Sequence, residues 1–193
     1  SPFGERMTPS VRYWTLLAAL LISGVCGLIN QIAWQRAVKI YLANSETLSS
    51  MIVVLVFMLG LGAGSLAAAS ASPRLRNPLR SLGLVELALG AVNAGLLLAF
   101  GESLRETALT MQTAALAAGV SSTVIYAGFS FAVLSVPCFL MGLTIPIAAE
   151  AAQRQLRAAR SKAVAEFFAM NTLGAVVGTV LCGFLLMPIL GQA

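Results

Sequence analysis

The chain has 193 residues, of which 59% are hydrophobic and only 10% charged, with a formal net charge of +5 and a mean hydropathy of +0.90. Soluble domains carry about 25% charged residues, and a soluble core of this size could not hide so much apolar surface, so the composition predicts an all-α, polytopic transmembrane helix bundle. His and Asp are absent, which removes the commonest general base and metal ligand, and the basic residues lack the interleaved aromatics of a nucleic-acid surface.

Residues 1–12 read as a cytoplasmic N-terminal segment and 13–193 as one transmembrane domain, with about five spanning helices. The first span is expected at 13–34, with Tyr13, Trp14 and Trp34 at its ends as an interfacial aromatic belt. It serves as the targeting signal, because its end lacks a small-x-small cleavage pattern. The second is expected at 48–71 and carries L-G-L-G-A-G-S, with Gly60, Gly62 and Gly64 suited to close helix contact. The third, at 82–100, is interrupted by Glu86 and Asn93. Residues 107–120 are apolar for only 14 residues, too short to cross a bilayer at about 1.5 Å per residue. A short interfacial or re-entrant helix is expected there, the alternative being a continuation of the fourth span broken at Gly119. If it crosses, the spans number six.

The fourth span, 124–149, contains Pro137 and Pro146, each of which removes a backbone hydrogen bond. The fifth, 167–190, has no charge, and Gly174-x-x-x-Gly178 places two missing side chains on one helix face. Helix-packing positions are therefore expected at Gly60, Gly64, Gly174 and Gly178. Cys26, Cys138 and Cys182 each fall within an apolar run and read as small buried packing residues.

Loop charges set the orientation. Arg6, Arg12, Arg74, Arg76, Arg80, Arg154, Arg157, Arg160 and Lys162 fall on one side, nine in all, against Arg36, Lys39 and Arg105 on the other. The positive-inside rule places the N-terminus in the cytoplasm of a bacterial-type inner membrane, and five spans place the C-terminus outside.

Polar groups inside spans are expensive and mark candidate sites. Asn30, Gln31, Arg36 and Glu86 form the candidate polar intramembrane site. The competing reading makes the first three an interfacial belt, with Arg36 snorkelling to water, and puts Glu86 near a helix N-terminus that favours negative charge. No catalytic, cofactor-binding or metal-binding motif is found, and no cofactor is expected. L-G-L-G-A-G-S imitates a glycine-rich loop but lies in an apolar helix.

Four motifs occur in order: S-G-V-C-G-L-I-N-Q-I-A-W-Q-R at 23–36, F-M-L-G-L-G-A-G-S at 57–65, P-C-F-L-M-G-L-T-I-P at 137–146 and N-T-L-G-A-V-V-G-T-V-L-C-G-F-L-L-M-P-I-L-G at 171–191. Together they resemble the membrane domain of the integral-membrane spermidine synthase-like proteins, the fused major-facilitator/spermidine synthase type. The resemblance implies a membrane domain followed by a cytoplasmic aminopropyltransferase-like domain that uses decarboxylated S-adenosylmethionine and a polyamine. None of that second domain is in this sequence, so no catalytic residue carries over. The expected partners are the lipid bilayer and other membrane-protein subunits, with no nucleic acid and with a polyamine only through the resemblance. Three functions follow: a non-catalytic anchor or helix-packing subunit, a transporter-like module for polyamines or other cations, or a fragment of a membrane-bound aminopropyltransferase.

Overall fold

Long apolar runs satisfy their backbone hydrogen bonds most simply as helices, because each N–H then finds its acceptor within the same segment. The computed structural model describes residues 9–41, 46–99, 102–156 and 159–190, and among them the chain is all-α. The elements in order are α1 (Pro9–Tyr41), α2 (Glu46–Ala71), a 3₁₀ turn (Ser72–Arg74), α3 (Pro78–Ala99), α4 (Glu102–Ala117), α5 (Ser122–Leu156), α6 (Arg160–Leu181), a π-helical segment (Cys182–Leu186) and α7 (Met187–Leu190).

Five segments are long and apolar enough to cross a membrane: Arg12–Lys39, Thr47–Arg74, Pro78–Leu96, Thr123–Arg154 and Ser161–Ile189. They match the expected spans in order and outrun several of their boundaries, for local reasons. α3 begins four residues early because Pro78 supplies a pre-set φ at the first helical position, and Asn77 Oδ1 accepts the Arg80 N–H at 3.2 Å. α5 runs unbroken through Pro137 and Pro146. α4 has 16 residues, about 24 Å at ~1.5 Å per residue, against a hydrocarbon core of about 30 Å. It ends at a turn where Gly119 takes φ +74° and its N–H reaches the Leu116 carbonyl, a conformation that glycine adopts without a Cβ penalty.

Contacts divide the chain into two compact units. The first comprises Ser1–Ile29, Ala68–Leu82 and Ile145–Ala193. Within it α1 and α6 cross at backbone distance. A Cβ built on Gly174 would collide with the Leu21 carbonyl, one on Gly24 with the Asn171 carbonyl, and one on Gly178 would lie 2.5 Å from the Val25 oxygen. Nearer the start of both helices Tyr13 donates to Glu166 Oε2 at 2.5 Å and meets Phe167 in a tilted ring pair (5.6 Å between centroids, 35° between planes), and Lys162 lies 3.7 Å from the same carboxylate. Arg154 of α5 pairs with the buried Glu150 at 2.5 Å and donates to the carbonyls of Leu75, at 2.9 Å, and Pro73. That guanidinium fastens the α2–α3 connection to α5.

The second unit comprises Asn30–Ala67 and Gly83–Thr144. Here α2 and α5 cross closely: a Cβ on Gly60 would meet Cys138, and one on Gly64 would meet the Phe139 carbonyl and lie 3.0 Å from Gly142 Cα. Pro146 has no N–H to return to the Gly142 carbonyl four residues back. The Ser65 hydroxyl donates to that carbonyl instead, at 3.0 Å.

Three expectations are corrected. Gly62 meets nothing within 4 Å, since two residues from Gly60 is the far side of a helix. Cys26 is exposed, whereas Cys138 and Cys182 are buried. Trp34 is core rather than belt: α1 continues for two further turns, and the indole is 4% exposed within the second unit's main hydrophobic cluster.

Candidate functional site

The second unit's hydrophobic cluster consists of Trp34 and Val38 of α1, Ile52, Val53, Val56 and Phe57 of α2, and Tyr126, Leu134 and Cys138 of α5, with Leu96 of α3 packed against it. The last third of α1, the first half of α2, the end of α3 and the first half of α5 therefore meet here. Polar residues recur along the same helical stripes. Asn30 precedes Trp34 and Val38 at four-residue steps. Ser49 leads Val53 and Val56. Asn93 lies between Leu89 and Leu96, and Ser130 sits midway between Tyr126 and Leu134.

The four residues proposed from sequence all lie in this unit and all are half-buried, Asn30, Gln31 and Arg36 on α1 and Glu86 on α3. Because α3 begins at Pro78, Glu86 lies about 12 Å along the helix at ~1.5 Å per residue. That is beyond the first turn, where a helix N-terminus favours an anion. Both Arg36 and Glu86 make interactions of their own. The four packing glycines fall at the two crossings already described, Gly60 and Gly64 on α2, Gly174 and Gly178 on α6.

Around the cluster, several polar side chains are paired. Gln35 donates to the Ser50 hydroxyl, Gln112 Nε2 to the Tyr126 hydroxyl at 2.8 Å, and Asn93 Nδ2 to the Leu89 carbonyl at 3.0 Å. Others are not. Ser49 Oγ, Ser130 Oγ and Asn93 Oδ1 are buried without a hydrogen-bond partner, the two serines at 0% and 1% exposure. Sequence reasoning missed the two serines, since a lone serine in an apolar run is unremarkable until its stripe is known to face a core. A polar residue in phase with the apolar stripe was the available signal. Among the described residues no three His, Cys, Asp or Glu side chains come together as a metal-binding group. The helices that build this apolar cluster thus also carry buried hydroxyl and amide oxygens.

The chain is similar along its whole length to polyamine aminopropyltransferase 1 of Streptomyces coelicolor, with 29% identity over 201 aligned residues that cover 100% of this chain and 32% of the relative. Polyamine aminopropyltransferase 2 of the same organism is 31% identical over 191 residues, 95% of this chain and 31% of the relative. No family model and no solved structure matches. The chain thus spans about a third of the length of the curated relatives it matches, and its distant homologues are polyamine aminopropyltransferases.

Proposed function

We propose that this chain is the membrane-embedded, non-catalytic module of a polyamine aminopropyltransferase-like protein, seated in the inner membrane with its N-terminus and basic loops in the cytoplasm. The module anchors aminopropyl-transfer activity to the bilayer and packs against further membrane helices. The observation that carries this reading is apolar surface turned outward along helices long enough to span. Leu87, Leu98, Phe184 and Ile189 are 72%, 86%, 78% and 72% exposed, which water would penalise and lipid would not. Similarity to proteins about three times as long supports a role as one part of a larger protein or assembly.

The test is to solubilise native membranes in mild detergent, deplete this chain with an antibody, and assay aminopropyl transfer from decarboxylated S-adenosylmethionine to putrescine. The activity is expected to sediment with membranes and to leave with the chain. Activity that stays in the depleted extract contradicts the proposal.

The second reading is a transporter-like module for polyamines or other cations. Glu86, set two turns into α3 rather than at its end, favours it. Unchanged polyamine uptake in vesicles carrying Glu86→Gln would remove that support.

A further inference from the structure

We propose that the α2–α3 connection and the end of α5, both in the first unit, form a binding site for the headgroup of an anionic phospholipid, held by Arg74, Arg76, Arg80 and Arg154. Printed contacts of one side chain bring these arginines together. Arg154 Nη1 donates to the Leu75 carbonyl at 2.9 Å and Nη2 donates to the Pro73 carbonyl. Its guanidinium therefore rests against the residues on either side of Arg74, and Arg76 is next in the chain. Arg80 follows one turn later, with its N–H bound at 3.2 Å by the Asn77 carboxamide that starts α3.

The positive charge here is poorly balanced. No acidic residue occurs in the sequence between Glu46 and Glu86. The buried Glu150 is committed to Arg154 at 2.5 Å. Arg74 spends one N–H on the Ser70 carbonyl at 2.8 Å, and among the described residues no carboxylate pairs with Arg74, Arg76 or Arg80, all of which are exposed. The next basic connection is different, since Lys162 has Glu166 at 3.7 Å. Arg80 also stands in the first turn of α3, which holds no acid and where a helix disfavours a cation. Crowded like charges of this kind are relieved by an anion, and guanidinium N–H groups meet phosphate oxygens in pairs.

The surroundings identify the anion as a lipid. Arg74 closes one apolar segment, Thr47–Arg74, and Arg80 lies just inside the next, Pro78–Leu96. Leu79, beside Arg80, is 38% exposed and offers apolar surface to an acyl chain. A free phosphate would use the arginines alone, whereas an anionic phospholipid uses both. Arginines at this position are drawn to an anionic leaflet.

The site rests on the membrane-embedded reading and is independent of whether a catalytic part is attached. The test immobilises the full chain on affinity resin in neutral detergent and counts retained radiolabelled phosphatidylglycerol. Saturable retention is expected, in preference to phosphatidylcholine, whose ammonium cancels its phosphate charge. The double substitution Arg76→Gln, Arg80→Gln is expected to weaken retention about tenfold or more. Its melting temperature in lipid-free detergent should match that of the wild type. Salt at about 1 M, which screens charges beyond about 3 Å, is expected to abolish the preference, and decides alone if the double variant fails to fold. Equal retention of phosphatidylcholine overturns the site, as does unchanged affinity in the double variant or a preference that survives the salt. Displacement by inorganic phosphate at the same concentration as the lipid would make the ligand a free anion and overturns the lipid assignment. Alkaline extraction of native membranes separates the two claims: a chain that washes out refutes the membrane reading itself, and one that stays but shows no preference for phosphatidylglycerol refutes only the site.

Discussion

At Gly174 a single methyl group separates a close helix crossing from a collision, because the position faces the Leu21 backbone and not a side chain that could swing aside. Gly174→Leu is therefore expected to lower stability by at least about 2 kcal/mol, read as a fall in melting temperature in detergent. Gly62→Ala, at a position with open space around it, should be neutral or gain up to about 1 kcal/mol from helix propensity. Equal losses in the two would contradict the crossing. The spacing of Gly174 and Gly178 was legible in the sequence, but their partner Gly24 was not, since Gly24 and Gly27 on α1 lack that four-residue spacing and name no neighbour. Ser65 offers a second test. Ser65→Ala strips the Gly142 carbonyl of its donor and is expected to cost about 1 kcal/mol. In a Pro146→Ala background, where residue 146 regains an N–H for that carbonyl, most of the cost should vanish. A double-mutant cycle with additive losses would show that the two are unconnected.

The elements themselves were largely written in apolar run length, and all five long helices appear where the runs lie. Their ends were less legible, because ends depend on single side chains in short connections. Asn77 illustrates this: its carboxamide oxygen caps α3 through the Arg80 N–H, extending the helix back to Pro78 and moving Glu86 from the rim to two turns inside. Asn77→Ala is expected to cost about 1 kcal/mol, seen as earlier fraying of residues 78–81 by hydrogen exchange, with Asn77→Asp preserving the start. Arg154 plays a comparable part for the α2–α3 connection. Arg154→Met removes a guanidinium from Glu150 and from two loop carbonyls, and about 1–3 kcal/mol should be lost. Because that side chain is partly exposed, the loss should fall as salt is raised, by the ionic part of the interaction. Faster proteolysis at residues 72–77 would report the freed turn. The candidate site was legible by half: polar residues in a span announce themselves when they are Asn, Gln or Glu, whereas Ser49 and Ser130 acquire meaning only from the faces they share with the buried cluster.

Across the whole chain, exposed apolar side chains run along the long helices and the charges are unevenly distributed. Arg74 and Arg76 lie at the α2–α3 connection, and Arg80, Arg154 and Lys162 on the helix ends beside the basic connections, which the proposal puts in the cytoplasm; the α4–α5 turn at 118–121 carries no charge and in the proposal faces the opposite side. In the proposed setting a bilayer would account for both features, since lipid accepts exposed leucine and phenylalanine and holds back clustered arginine. Cysteine accessibility in intact cells tests this most directly, in a background with Cys26, Cys138 and Cys182 replaced by alanine. With a membrane-impermeant maleimide, Ser121→Cys should be labelled in intact cells and Arg76→Cys only after the membrane is permeabilised. Labelling of both positions from the same side, or the reverse pattern, would contradict the proposed membrane-embedded module.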